Sequence, residues 1–271
     1  MQQMLEATAR AEDRHFWFRG LRRHAGTWLK AALPRGSAPR ILDCGAGTGR
    51  NLDWLGTIGP AAGVELDPAG LAAGRAAGRR LVRASVTRLP VADASMDVVT
   101  SFDVLYCLDA EDERAAIREM FRVLRPGGLL LANVAALDVL RGAHSTLTHE
   151  VRRYTPDRLR TRLEAAGFAV VRMSFTNMAT FPVALAVRVL DRLTGRAAKA
   201  SDADLRVPPW PVNAAFDAGL RLEHALMRVT DLPIGSSILC LARKPDGAER
   251  VERLAPARGA GAATAATAAR A

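Results

Sequence analysis

Arg40-Ile41-Leu42-Asp43-Cys44-Gly45-Ala46-Gly47-Thr48-Gly49-Arg50-Asn51-Leu52 reads as the end of a strand, a tight turn and the opening of a helix. Arg40 to Leu42 ends in apolar side chains suited to a buried strand. The glycines at alternate positions let the backbone take positive φ and let a ligand come close to the main chain. The helix that follows aims its free N–H groups and the positive end of its dipole over the turn. A dinucleotide fingerprint would need glycine where Arg50 stands, and a phosphate-cradling P-loop would need a Gly-Lys-Ser/Thr ending that is missing. Asp43, just ahead of the glycines, suits a cationic or amino-bearing ligand better than a pyrophosphate. The stretch is a ligand-binding strand-loop-helix.

Working outward, Ala62-Gly63-Val64-Glu65-Leu66-Asp67 reads as a second strand ending in acids, and Pro68 opens another helix. Glu65 lies where a second-strand carboxylate can accept both hydroxyls of a ribose. Leu81 to Ser85 and Met96 to Asp103 are the third and fourth strands. A helix from Asp112 to Leu124, with apolar spacing at Ala116, Ile117, Met120 and Phe121, ends at the turn Arg125-Pro126-Gly127-Gly128, and Leu129 to Val134 supplies the fifth strand. The helix Pro156 to Ala166, the strand Phe168 to Met173 and the strand Ser236 to Arg243 complete the alternation. Alternating strands and helices predict a doubly wound α/β sheet, in which ligands bind outside the carboxyl ends of the strands where the strand order reverses. Asp103 and Tyr106 follow the fourth strand and so face that place.

Leu42-Asp43-x-Gly45-x-Gly47-x-Gly49 and the later Leu124-Arg125-Pro126-Gly127-Gly128-Leu129-Leu130-Leu131 resemble the motifs of the class I S-adenosylmethionine (SAM) methyltransferases, small-molecule members in particular. The resemblance covers residues 37–175 and the last strand. It implies a Rossmann-like, seven-stranded, mostly parallel sheet, SAM as methyl donor, S-adenosylhomocysteine as product and no metal. Carried onto this chain, it implies that Asp43, Gly45, Ala46, Gly47 and Gly49 hold the amino-acid half of SAM, with Asp103 nearby. Glu65 and Leu66 then meet the ribose, and Ser85 and Val86 the adenine. Ser85 departs from the family, which commonly places an acid there, and Cys107 stands where relatives often have histidine, so Tyr106 lines the pocket and no base sits beside it. The implied activity is methyl transfer by in-line displacement to a small-molecule or lipid-linked acceptor. The alternatives are a nucleic-acid methyltransferase and a non-catalytic SAM-binding regulatory protein. Against nucleic acid, the fourth strand does not end in Asn-Pro-Pro-Tyr or Asp-Pro-Pro-Tyr.

Three segments lie outside this core. Residues 1–36 form an N-terminal helical lid whose aromatic knot, His15-Phe16-Trp17-Phe18-Arg19, offers Trp17 as a wall over the cofactor and Arg19 as a partner for the methionine carboxylate. Residues 143–155 follow the fifth strand and hold two of the five histidines. His149 and Tyr154 are the candidate catalytic groups, and His144, Arg152 and Arg153 are candidate substrate contacts, the arginines for an anionic group. Residues 176–235 form a helical insertion where the basic fold needs only a hairpin. It carries an apolar helical run, Phe181 to Leu193, a polar break, the cluster Pro208-Pro209-Trp210-Pro211 and an amphipathic helix from Asn213 to Val229. Such an insertion can cap substrate, form a dimer surface or lie on a membrane. Residues 236–245 return as the last strand of the core, and residues 246–271, Ala/Gly/Arg/Thr-rich without a buried pattern, are expected to be a disordered tail.

With 271 residues, 49% of them hydrophobic, the chain is long enough for one sizeable α/β domain with additions. A net charge of +10 allows an anionic partner, but the excess is nearly all arginine in an Ala/Arg/Gly-rich background, which makes nucleic acid a poor expectation. Cys44, Cys107 and Cys240 have no metal-ligand spacing and are odd in number, which fits a reducing cytoplasm. The first residues have no apolar signal core, and the longest uncharged run, Met173 to Val187, is interrupted and too short to cross a bilayer. The expectation is a cytoplasmic monomer or homodimer with peripheral membrane contact at most.

Overall fold

The computed structural model describes residues 8–141, 150–194 and 206–246. Seven strands form one sheet in the order β3-β2-β1-β4-β5-β7-β6. They are β1 (Ile41–Cys44), β2 (Ala61–Glu65), β3 (Leu81–Arg83), β4 (Met96–Phe102), β5 (Leu124–Ala135), β6 (Ala169–Thr176) and β7 (Ser237–Arg243). All neighbours are parallel except β7, which runs antiparallel to both β5 and β6. The strand order reverses between β1 and β4. The expected doubly wound sheet is therefore present, with the crevice at the carboxyl ends of these two strands.

Side-chain alternation explains how each strand feeds two layers. Leu42 and Cys44 point into one apolar cluster with Val99, Leu130 and Cys240, while Ile41 points into the other with Val98, Leu131 and Leu239. Helix α4 (Ala110–Val123) closes the first layer with Ala116, Ile117 and Met120. Helix α1 (Phe16–Ala32) closes the second with Leu21, Ala25, Trp28 and Leu29. Burying each large side chain of this kind stabilises by about 1.5–3 kcal/mol, so both helices are anchored by their apolar stripes. Helices α2 (Arg50–Leu55), α3 (Pro68–Ala76) and α5 (Pro156–Ala165) are the crossovers of the core.

Several boundaries differ from the sequence expectation. Helix α4 starts earlier because Asp109 accepts from the Glu111 and Asp112 amides as its N-cap. The Arg125–Gly128 turn is absorbed into β5, where Leu124 already pairs with Met96 before a register shift. The insertion folds as α6 (Phe181–Leu193) and α7 (Trp210–Leu226). The second of these begins inside the proline cluster, because Pro211 sits in the first turn, where a missing N–H breaks no helical hydrogen bond.

Helices α1 and α7 pack as a pair. Leu220 lies so close to Gly20 that a Cβ there would approach its Cδ1 to 2.6 Å. Asp217 takes both Arg19 and Arg23, and His24 faces His224 with Nδ1 atoms 3.2 Å apart. Burial holds His24 at a pKa of about 3, with the neighbouring His224 and Arg23 adding to the effect. On the other side of α7, Glu223 accepts from the Asn177 and Ala179 amides and ties the insertion to the end of β6. Helix α6 is inverted relative to a usual surface helix. Arg188 and Asp191 are partly covered, whereas Val183, Val187, Leu190 and Leu193 are exposed.

Candidate active site

The turn after β1 is built by three left-handed glycines, Gly45, Gly47 and Gly49, at φ 77°, 57° and 73°. Gly45 also packs so tightly that a Cβ would lie 2.3 Å from Val104 Cγ2. At the end of β2 the Glu65 carboxylate accepts from the Gly47 amide at 2.7 Å and from the Leu66 and Asp67 amides at 2.7 and 2.8 Å. Glu65 thus points at the glycine turn, and Leu66 beside it is exposed. Ala84 N–H donates to the Glu65 carbonyl, which brings the end of β3 alongside. There Ser85 Oγ lies 2.8 Å from Thr87 Oγ1, and Val86 is buried.

On the β1/β4 side, Asp43 is buried and accepts from Thr100 Oγ1 at 2.6 Å through one oxygen, while its other carboxylate oxygen is buried with no partner among the described residues. Burial raises this carboxyl to a pKa of about 7, opposed by the Thr100 hydrogen bond and reinforced by the nearby Glu65 charge. Asp103 follows β4 in a left-handed conformation (φ 63°) and accepts from Asn133 Nδ2 at 3.0 Å and from Tyr106. Burial lifts it to about 7 as well, against those two hydrogen bonds. Asn133 Oδ1 is a further buried acceptor with no partner among the described residues. Asp43, the glycines with Ala46, Glu65, Ser85, Val86 and Asp103 therefore converge on the carboxyl ends of β1 to β4. Among the described residues, two acceptors here, Asp43 Oδ2 and Asn133 Oδ1, have no hydrogen-bond donor. A cavity of about 580 Å³ lined by Asp53, Thr57, Pro60 and Arg79 lies instead at the amino ends of β2 and β3.

The second half of the expected site is arranged differently. Tyr154 is fully buried and donates to Glu113 Oε1, with burial and the Glu113 carboxylate both raising its pKa. Arg152 is buried and donates to Glu113 Oε2 at 2.8 Å. Arg153 is held by Glu150 at 2.7 Å and by the Ala136 carbonyl. The expectation of Tyr154 as a base and of Arg152 and Arg153 as substrate contacts is corrected accordingly. Their polar groups are taken up by Glu113, Glu150 and the Asp109 and Ala136 carbonyls. Tyr106 bridges the two regions, its carbonyl accepting from the Val151 and Arg152 amides. His144 and His149 lie outside the described residues, as do the expected tail after Asp246 and the expected polar break of the insertion beyond Thr194.

The N-terminal expectation is also revised. Trp17 packs against the apolar cluster that contains Ala46 and Phe102, but Arg19 is engaged by Asp217 of α7 and not turned to the glycine turn. A group that the sequence reading missed sits there: Glu12, buried, accepts from Thr48 Oγ1 at 2.9 and 3.1 Å. Among the described residues no cluster of three His, Cys, Asp or Glu side chains could hold a metal, and no helix is long and apolar enough to cross a membrane.

Residues 42–132 match the family described as a methyltransferase domain. A Mycobacterium tuberculosis (H37Rv) protein named as a probable S-adenosylmethionine-dependent methyltransferase is 31% identical over 164 residues, covering 59% of this chain and 58% of its own length. A malonyl-[acyl-carrier protein] O-methyltransferase of Enterobacter lignolyticus is 32% identical over 143 residues, covering 51% of this chain and 56% of the relative. The chain thus spans a little under three-fifths of the length of these curated relatives. Among solved structures, a Burkholderia thailandensis 1,6-didemethyltoxoflavin-N1-methyltransferase, bound to 1,6-didemethyltoxoflavin and S-adenosylhomocysteine, shares the fold. Its TM-score is 0.53 at 19% identity, over 90% of this chain and 88% of that one.

Proposed function

We propose that the chain, whose residues 42–132 match a methyltransferase domain family, transfers a methyl group from SAM to a small-molecule acceptor of apolar or lipid-linked character. The observation that carries the reading is the unpartnered, buried carboxylate oxygen of Asp43 beside a turn of left-handed glycines. An ammonium group would supply the donor that this oxygen lacks. Glu65 keeps lone-pair capacity beyond its three backbone donors for a ribose hydroxyl. The Ser85 hydroxyl and the Val86 amide are the adenine contacts, and Trp17 supplies an apolar wall. Residues fitted to an amino-acid head, a sugar and a purine match SAM in its three parts.

When bound, SAM supplies an electrophilic methyl carbon, and the task left to the chain is to orient a nucleophile and exclude water. Proximity and orientation of this kind lower a barrier by about 7–11 kcal/mol in favourable cases, so a strong base is not required unless the nucleophile must lose a proton early. With Tyr154 withdrawn to the core, His149 is the candidate base. With Arg152 and Arg153 internally paired, the support for an anionic acceptor falls away, and the outward apolar face of α6 favours an apolar one. The insertion then serves as the acceptor's cap, and the cytoplasm as the compartment.

Titration calorimetry with S-adenosylhomocysteine tests the assignment. The unsubstituted chain is expected to bind, and Gly47→Val, which forces a branched side chain to φ 57°, is expected to bind on the order of a hundred-fold more weakly or not at all. Equal affinities in the two proteins would overturn the cofactor reading. Transfer of a labelled methyl group from SAM to apolar acceptors, and not to RNA or DNA at low salt, separates the proposed activity from the nucleic-acid and regulatory alternatives.

A further inference from the structure

Glu12 is a costly residue to bury. Its carboxylate is mostly withdrawn from solvent, and both of its oxygens lie within hydrogen-bond distance of one neutral donor, the Thr48 hydroxyl, at 2.9 and 3.1 Å. One hydroxyl does not offset the desolvation of a carboxylate, and burial accordingly raises its pKa, with the Thr48 bond and the charges of Arg79 and Arg22 opposing and Asp13 reinforcing the rise. Thr48 is itself buried and is the fourth residue of Gly45-Ala46-Gly47-Thr48-Gly49, so its side chain is a handle on the turn. Adjacent contacts grip the same place. Asp13 pairs with Arg50 at the start of α2, Arg79 donates to the Thr48 carbonyl at 2.9 Å, and Arg22 of α1 donates to the Glu12 carbonyl.

This grip is connected to the insertion. Asn213 of α7 accepts from the Phe16 amide at 3.0 Å and donates to the Arg14 carbonyl at 2.9 Å, which fixes the bend between Glu12 and α1. Asp217, one turn further on, holds Arg19 and Arg23. A continuous set of contacts thus runs from α7 through Asn213 and the Arg14–Phe16 bend to Glu12 and Thr48.

Resting on the cofactor reading above, we propose that Glu12 is a positioning residue that holds the glycine turn in its binding shape through Thr48, and that it couples the insertion to cofactor affinity. Glu12 does not touch the cofactor in this assignment. It sets the position of Thr48, and the placement of α7 sets the position of Glu12.

The test is a mutant cycle read by calorimetric titration with S-adenosylhomocysteine, with far-UV circular dichroism and thermal melting confirming the fold of each variant. Glu12→Ala and Thr48→Val are each expected to weaken binding about ten-fold, as for loss of a hydrogen bond to a charged group. The double variant is expected to be no weaker than the singles, because both remove one interaction. Glu12→Gln keeps an acceptor for the hydroxyl and is expected to recover most of the affinity. Asn213→Ala, which has no contact with the turn, is expected to weaken binding about three-fold, and to have no effect in the Glu12→Ala background. Unchanged affinity in folded Glu12→Ala and Thr48→Val, or losses that simply add, would overturn the proposal while leaving the cofactor reading intact. If Glu12→Ala does not fold, Thr48→Val and Asn213→Ala carry the same decision. Failure of the unsubstituted chain to bind would overturn the cofactor reading and this coupling with it.

Discussion

Two polar regions of this molecule invite the same reading from their residues and turn out to be opposites. Around the glycine turn, Asp43 keeps an unpartnered oxygen, Asn133 keeps another, and Glu65 reaches the main chain that a ligand would meet. Around Glu113, an equally dense set of chemistry-bearing side chains, Arg152, Tyr154 and Arg162, closes on a single fully buried carboxylate. Arg153 is closed in the same way by Glu150. Residue types do not separate a site from a strut. What separates these two regions is that, among the described residues, buried acceptors are left over only around the first.

The largest test of this contrast is Glu113→Ala. It strands the Arg152 guanidinium and the Tyr154 hydroxyl inside the fold, and breaking a buried pair in this way destabilises by about 3–5 kcal/mol. Chemical denaturation should show that loss, while whatever fraction remains folded keeps its affinity for S-adenosylhomocysteine. A variant with normal stability and lost affinity would reverse the roles of the two regions.

A smaller effect is expected from pH. The Asp43 carboxyl sits near pKa 7 in the free protein because of its burial, and an ammonium beside it favours the ionised form. The proton must therefore leave on binding, and affinity should rise between pH 6 and pH 8 by about ten-fold. Calorimetry across that range, in buffers of different ionisation enthalpy, should also register the released proton. Asp43→Asn should flatten the slope in this window.

The smallest effect belongs to Ser85→Ala. Ser85 already shares its hydroxyl with Thr87, so its removal should weaken S-adenosylhomocysteine by less than about three-fold, in line with one neutral hydrogen bond. A loss as large as that of Gly47→Val would mean that adenine recognition rests on this hydroxyl alone.

The fold was legible because its signals are local. The apolar strands, the left-handed glycines and the acid that ends β2 lie within a few residues of one another, and each speaks through its own backbone requirement. The revised positions depend on partners far along the chain. Arg19 is claimed by Asp217 and Arg152 by Glu113, pairings that no local spacing announces. Glu113 itself sits in the first turn of α4, where an acid is expected simply to complement the helix dipole. Nothing in its neighbours distinguishes it from the more exposed Glu111 and Asp112. Glu12 was missed for the same reason, since a carboxylate in a charged N-terminal stretch reads as solvated until Thr48 is seen against it.

The three amides gathered by Glu65 have a kinetic consequence. By clasping Gly47, Leu66 and Asp67 before any sugar arrives, this one side chain acts as a splint across two strand ends. On the proposed reading, an incoming nucleoside would meet a crevice whose contour is set in advance. Little backbone entropy is lost at the encounter, and capture should follow collision without a slow closing phase.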